Sequence, residues 1–237
     1  MTYNRATVKP DAILEVDPRI FARFPGVLVG VVVARGLDNR TPRPGLADEL
    51  RRAERAARQR LGPGPAAEHE RIVPWREAYR AFGAKPSKYR SSLEALARRV
   101  LAGDEVPCIN PLVDLYNRVS LDHLLPAGGE DLGTIVGTVR LRFADKDEPA
   151  VELLGDPQPR APEPGEVIYA DDIGAVCRRW NWREAARTKL TPDTRDALLV
   201  LEALPPAGGA ELEAALAELA ASVEALLGGA AATTVLS

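Results

Sequence analysis

Hydrophobic positions along the chain alternate between two periods, and the changes of period mark the elements. Ala12 to Val16 and the β-branched run Val27-Leu28-Val29-Gly30-Val31-Val32-Val33 read as strands; the second is apolar on both faces and is expected at the centre of a sheet. Thr41-Pro42-Arg43-Pro44-Gly45 breaks the chain, and Leu46 to Leu61 reads as an Arg/Glu-rich, mostly exposed helix closed by Gly62-Pro63-Gly64-Pro65. Trp75 to Phe82 predicts a short helix stopped by Gly83. Ser91 or Ser92 suits the N-cap of a helix carrying Leu93, Leu96, Ala97 and Val100, with its end near Gly103. From Ile109 the apolar residues Ile109, Leu112, Val113 and Tyr116 recur at helical spacing. Asp114 and Asn117 fall off the most apolar stripe, where side chains can meet a ligand.

Past a predicted loop, Pro126-Ala127-Gly128-Gly129, the period becomes two. Ile135, Gly137, Val139, Leu141 and Phe143 share one strand face, and Thr138, Arg140 and Arg142 the other. Pro157 to Pro164 reads as a proline-rich surface loop between the segments Val151–Leu154 and Val167–Ala170. Leu198-Leu199-Val200-Leu201 predicts a buried strand, and its geometry puts Glu202 on the face of Leu198 and Val200. Leu212, Leu216, Leu219, Val223 and Leu226 form a stripe on an Ala-rich helix, expected to pack on the body, with self-association as the other use open to it. No internal repeat is visible.

Composition bounds the chemistry. With 237 residues, 46% of them hydrophobic, the chain can bury a sizeable core, and one domain with a helical tail is the favoured organisation. No apolar run approaches the roughly twenty residues of a bilayer-spanning helix, and the polar start Met1 to Arg5 lacks the apolar stretch of a secretory signal. A cytoplasmic protein with no membrane partner is therefore expected. Cys108 and Cys177 are far apart, without a Cys-x-x-Cys pair, and are expected to be buried, unreactive thiols. With only His69 and His123 besides, no metal centre and no cofactor are expected, which leaves carboxylates, amides, hydroxyls and water. A net charge of −3 argues against indiscriminate coating of nucleic acid. Local basic stretches stand out nonetheless: Arg76 to Arg99, and Arg178 to Arg195, each explained more readily by a solvated face than by an RNA contact.

The words Ile109-Asn110-Pro111-Leu112-Val113-Asp114-Leu115-Tyr116-Asn117-Arg118-Val119, followed by Pro126 and Asp131, resemble the editing domain in the beta chain of bacterial phenylalanyl-tRNA synthetase. There a V-D-x-x-N-x-V helix leads into a proline-containing loop and an aspartate. Val167-Ile168-Tyr169-Ala170-Asp171, Ala175-Val176 and Leu198-Leu199-Val200-Leu201-Glu202 resemble that domain's later strands in the same order. Cys177-Arg178-Arg179-Trp180-Asn181-Trp182-Arg183, Gly83-x-Lys85-Pro86 and Leu125-Pro126-x-Gly128-Gly129-x-Asp131 look like its free-standing branch, which includes a deacylase that removes canavanine from arginine tRNA. Each word is short; their shared order carries the match. The resemblance covers roughly residues 75 to 205 of a chain read as a single editing-type domain, with a C-terminal helix over 207–228 and no role assigned to the N-terminal 70 residues. It implies an α+β fold of sheets with packed helices, tRNA as partner, and hydrolysis in trans of a mischarged aminoacyl-tRNA, canavanyl-tRNA or another non-cognate species.

An aminoacyl ester is already activated, so a protein need only hold it, place a water and stabilise the oxyanion. On the resemblance, Glu202 is expected to bind the substrate ammonium or order the water, and Asn117 to hydrogen-bond substrate or water; Glu202→Ala should then slow release without unfolding the chain. Asp114 and Tyr116 would line the pocket, Gly128 and Gly129 would bring backbone N–H groups near the ester oxygen, and Asp171 and Asp172 would receive a guanidinium. Arg140, Arg142, Arg178, Arg179 and Arg183 would hold phosphates of the acceptor end, with Trp180 and Trp182 stacking on unpaired bases. Each of these residues also has an ordinary structural use: strand end, helix cap, turn or core. In the synthetase domain a histidine stands where this chain has Gly128, which turns the expectation away from phenylalanine tRNA. Two other functions remain open, a noncatalytic RNA-binding module and an amino-acid sensor.

Overall fold

The computed structural model describes residues 13–237; the polar start and Ala12 lie outside the described residues. The chain begins with β1 (Leu14–Val16), α1 (Pro18–Arg23) and β2 (Leu28–Arg35), followed by four helices: α2 (Leu46–Leu61), α3 (Val73–Ala81), α4 (Ser92–Ala102) and α5 (Pro111–His123). A run of strands comes next: β3 (Ala127–Asp131), β4 (Val139–Phe143), β5 (Val151–Leu153), β6 (Asp156–Arg160), β7 (Val167–Asp171), β8 (Gly174–Arg178), β9 (Arg183–Glu184) and β10 (Asp196–Ala203). α6 (Gly209–Leu227) and β11 (Ala230–Leu236) complete an α+β fold. None of the described helices is long and apolar enough to cross a membrane.

Local chemistry sets the helix ends near the site. The Ser91 hydroxyl accepts the Glu94 N–H at the start of α4, and Gly103 ends it in the left-handed region, at φ 90°. Asn110 caps α5 by accepting the Val113 N–H, and Pro111 occupies the first helical position, where a missing N–H costs nothing. The helix therefore starts after Ile109, which is left 62% exposed rather than on the apolar stripe.

Strand order is β11-β2-β10-β3 in a four-stranded antiparallel sheet and β1-β4-β7-β8-β9 in a five-stranded sheet whose one parallel pair is β1–β4. β2 is central, as its two apolar faces require: Val29, Val31 and Val33 pack between the two sheets, while Val32 and Ala34 pack under α5 and α6. Gly30 lies on the helix side. A Cβ there would stand 2.8 Å from Leu216 Cδ1, so glycine lets α6 lie close on the sheet. The α6 stripe accordingly packs on the body, with Leu212, Leu216, Leu219 and Val223 buried.

Several expectations are corrected. Ala127 to Gly129 is not a loop: Ala127–Asp131 is β3, pairing with β10 so that Gly128 faces Val200 and Gly129 faces Leu199. Alternation from Ile135 does not make a strand until Val139, because Gly137 turns the chain at φ 76°. The proline-rich segment contains β6, paired with β5 in a small separate hairpin where edge positions need no proline N–H. α2 buries Leu46, Leu50, Ala53, Ala57 and Leu61 against α4 and α5, so it is amphipathic rather than mostly exposed. Cys177 is buried, but Cys108 is exposed.

Candidate functional site

Between the two sheets the core opens into a pocket of about 420 Å³. α4 and α5 form one wall with Ala95, Leu96, Tyr116 and Asn117; Gly128, Gly129, Val200 and Glu202 come from β3 and β10; Tyr169, Val176, Trp182, Arg183 and Glu184 come from β7, β8 and the segment through β9. Asn117, Tyr116, the glycine pair and Glu202, distant in sequence, thus share one cavity. Asn117 is half-buried on its wall, and its side-chain amide forms no hydrogen bond among the described residues.

Glu202 is 2% exposed, and both of its oxygens accept hydrogen bonds. Oε1 accepts from the Tyr169 hydroxyl and from Trp180 Nε1 at 2.5 Å, and Oε2 accepts from Asn181 Nδ2 at 2.6 Å. Burial raises its pKa, and the three donors oppose the rise. The carboxylate ties an aromatic wall together. Trp180 is fully buried, packed edge-on against Trp75 with ring centres 5.2 Å apart, so it supports the pocket from within and does not stack on a base. Arg179 and Trp180 both sit in the left-handed region, at φ 47° and φ 64°. Such positions cost bulky residues about 1 kcal/mol or more and persist when the surroundings over-determine them, here through Trp180 N–H on the Val167 carbonyl and the indole on Glu202.

Two carboxyls that sequence reasoning missed lie beside the glycines. Glu184 Oε1 accepts the Gly129 N–H at 3.1 Å, and a Cβ on Gly128 would stand 3.1 Å from the same oxygen. The Gly129 N–H is therefore committed to Glu184 and not open to an ester oxygen. A Cβ on Gly129 would meet Leu199 Cδ2 at 2.6 Å, so strand packing requires glycine there. Glu130 is 7% exposed and its Oε2 has no partner; the nearby Thr188 hydroxyl is equally unpaired. Burial, and then repulsion from Glu184, push Glu130 well above the usual carboxylate range. Burial pushes Glu184 up to about 7, with the Gly129 N–H opposing. Cys177 also lines the pocket, but burial and then the neighbouring Glu184 and Glu130 keep its thiol protonated, so it is a poor nucleophile. The missed groups had a faint signal: Glu130 lies between Gly129 and Asp131 of the glycine word, and Glu184 directly follows the Cys177–Arg183 word.

The raised pKa of Glu184 makes a stability prediction. Its proton is held more tightly in the folded chain than in the unfolded one, so its contribution is most favourable below the ordinary glutamate value of 4.5 and declines as pH rises through about 7. Urea unfolding should find that Glu184→Gln gains stability relative to the parent by about 2–3 kcal/mol between pH 4.5 and pH 8. A difference that does not change with pH would show that the carboxylate is not desolvated.

Of the remaining candidates only Trp182 and Arg183 reach the pocket. Asp114 lines a separate depression near Cys108 and accepts the Ile109 N–H at 2.8 Å. Asp171 receives a guanidinium from within the chain, Arg187 at 2.6 and 3.0 Å; burial pushes its carboxyl up, but Arg187 and two backbone amides hold it below the ordinary value. Asp172 pairs with Arg140 at 2.8 Å, and Arg142 pairs with Glu148. Arg178 is 2% exposed and bidentate on Glu166 at 2.7 and 2.9 Å, which takes it out of reach of phosphate. Arg179 caps the Tyr89 ring at 3.7 Å and leans on Trp182 at 4.9 Å. Arg183 lies over Trp182 at 4.8 Å and has no ion pair among the described residues. It lines both the main pocket and a second depression with Lys88, Arg90, Arg98 and Trp182. Among the described residues no three His, Cys, Asp or Glu side chains are grouped to hold a metal ion.

A family model described as the B3/4 domain matches residues 74–217. Among solved structures the chain is similar to an N-terminal fragment of the phenylalanyl-tRNA synthetase beta-subunit from Pyrococcus horikoshii, at 12% identity and a TM-score of 0.47, over 92% of this chain and 50% of that one. The chain thus spans about half the length of that fragment. A search of curated proteins finds no significant match. The matched segment runs from α3 into α6, takes in every pocket residue and exceeds half of the chain, and the protein therefore belongs to the B3/4 domain family.

Proposed function

We propose that the chain is a trans-acting hydrolase that deacylates mischarged aminoacyl-tRNA, with canavanyl-tRNA or another non-cognate species as substrate. One observation carries this reading: an unpaired amide, Asn117, and buried carboxyls share a pocket of about 420 Å³, and Arg183 and Trp182 lie at its junction with a basic depression. The pocket is large enough to take an aminoacyl group, and it is lined mainly by apolar side chains with polar groups among them. Asn117 orients the attacking water or the carbonyl. The basic depression suits the phosphates of the acceptor end, and the Trp182 ring suits its unpaired bases. On this reading the RNA contact is assigned to Lys88, Arg90, Arg98 and Arg183 in preference to Arg140, Arg142 and Arg178, whose guanidiniums are already paired with carboxylates.

Purified protein should free amino acid from some members of a panel of mischarged tRNAs, canavanyl and tyrosyl included. Intact ester across the panel sinks the reading; salt-dependent tRNA binding without turnover then marks an RNA-binding module, and calorimetric binding of a free amino acid without RNA marks a sensor. Lys88→Ala and Arg90→Ala should each reduce the slope of log binding constant against log salt by about 0.7–0.9. Arg142→Ala should leave that slope unchanged.

A further inference from the structure

Three carboxyls line the pocket, and the structure separates their uses. Glu202 has both oxygens occupied by Tyr169, Trp180 and Asn181 and is 2% exposed. Glu130 is 7% exposed, with an oxygen shut away from solvent and unpartnered. Glu184 alone is only half-buried, keeps Oε2 free of any hydrogen bond among the described residues, and lies under Gly128, where the missing side chain leaves the carboxylate uncovered.

We propose that Glu184 is the catalytic residue that takes the proton of the attacking water, with Glu202 as the scaffold of the aromatic wall. This rests on the deacylase reading. In the step, the water oxygen bonds to the ester carbonyl carbon while its proton passes to the Glu184 carboxylate. The tetrahedral intermediate then collapses, the bond from carbon to the ribose oxygen breaks, and Glu184 returns the proton to that oxygen. The products are the free amino acid and a tRNA with its terminal hydroxyl restored, and Glu184 is again a carboxylate.

The surroundings suit a group that changes charge near neutral pH. Tyr116 faces it from α5, Glu130 from β3 and Cys177 from β8, all three held uncharged by burial. Arg183 is its neighbour on β9 but is turned onto the Trp182 ring, and Arg187, the next cation, is spent on Asp171. Nothing in contact locks Glu184 in its charged form except the Gly129 N–H.

The test is single-turnover deacylation by the full chain on its best mischarged tRNA, from pH 5.5 to 8.5, with the uncatalysed rate subtracted. The parent should show an acidic limb centred near pH 7. Glu184→Gln should lower the rate at saturation by about 10²–10⁴-fold and abolish the limb, with KM within a few-fold. Glu184→Asp, which keeps a carboxylate, should retain a limb. Should Glu184→Gln fail to fold, the Glu184→Asp profile decides: loss of the limb there overturns the proposal. An unchanged rate and limb in Glu184→Gln, or a loss confined to KM, overturns it and leaves the deacylase reading standing. A parent inactive on every tRNA overturns the deacylase reading and the proton-acceptor role together.

Discussion

Glu202→Ala should cost the fold about 3–5 kcal/mol, a large part of the 5–15 kcal/mol that holds an ordinary domain together. The substitution strands three buried donors at once, the Tyr169 hydroxyl, the Trp180 indole N–H and the Asn181 amide. An unsatisfied buried polar group costs about 1–3 kcal/mol, and the three share one acceptor, so the losses overlap rather than add fully. Trp180 and its left-handed backbone lose their tie, and the aromatic wall of the pocket loosens with them. Denaturant unfolding checks the magnitude. Glu202→Gln, which keeps one acceptor oxygen, should cost less than half as much. The expectation from sequence that Glu202→Ala slows release without unfolding is thereby replaced: lost activity in that variant reports a lost wall, and Glu202→Gln at a temperature where it is fully folded is the informative comparison.

The second large effect lies behind the same wall. Glu166 is 3% exposed and accepts two hydrogen bonds from Arg178 and one from the Arg179 N–H. Glu166→Ala should destabilise by about 3–5 kcal/mol, because it leaves a guanidinium buried without its counter-charge. The double variant Glu166→Leu with Arg178→Met should recover most of that loss, since replacing both members of a buried pair by apolar groups is close to neutral. A double-mutant cycle on unfolding free energies measures the coupling. A Glu166→Ala loss under 1 kcal/mol would show that Arg178 finds water and that the pair is not buried in solution.

Much of the fold was legible because it depends on short-range physics. The α4 cap at Ser91, the β-branched run of β2 and the α6 stripe follow from capping chemistry and periodicity within a few residues. Readings failed where long-range pairing overrode local preference. Gly128 and Gly129 are poor strand formers, yet β10 pairs with them and Leu199 needs the space that Gly129 leaves. The seven residues of β11 have a partner in β2 and no distinctive pattern of their own.

At the site, sequence order alone brought together the words containing Asn117, the glycines and Glu202, and with them the family. Pairing could not be read there. A basic residue in a sequence carries no mark of whether a carboxylate will reach it, so Arg140, Arg142 and Arg178 looked as available as Arg183 until the chain was folded. Accessibility of a carboxylate is likewise a property of three dimensions. Glu202 ends a conspicuous apolar strand and Glu184 sits in a two-residue one, so hydrophobic pattern drew attention to the first. Only the packed sheets decided that Glu202 is held by three donors while Glu184 faces the cavity, because desolvation and hydrogen bonding are set by groups that lie far apart along the chain.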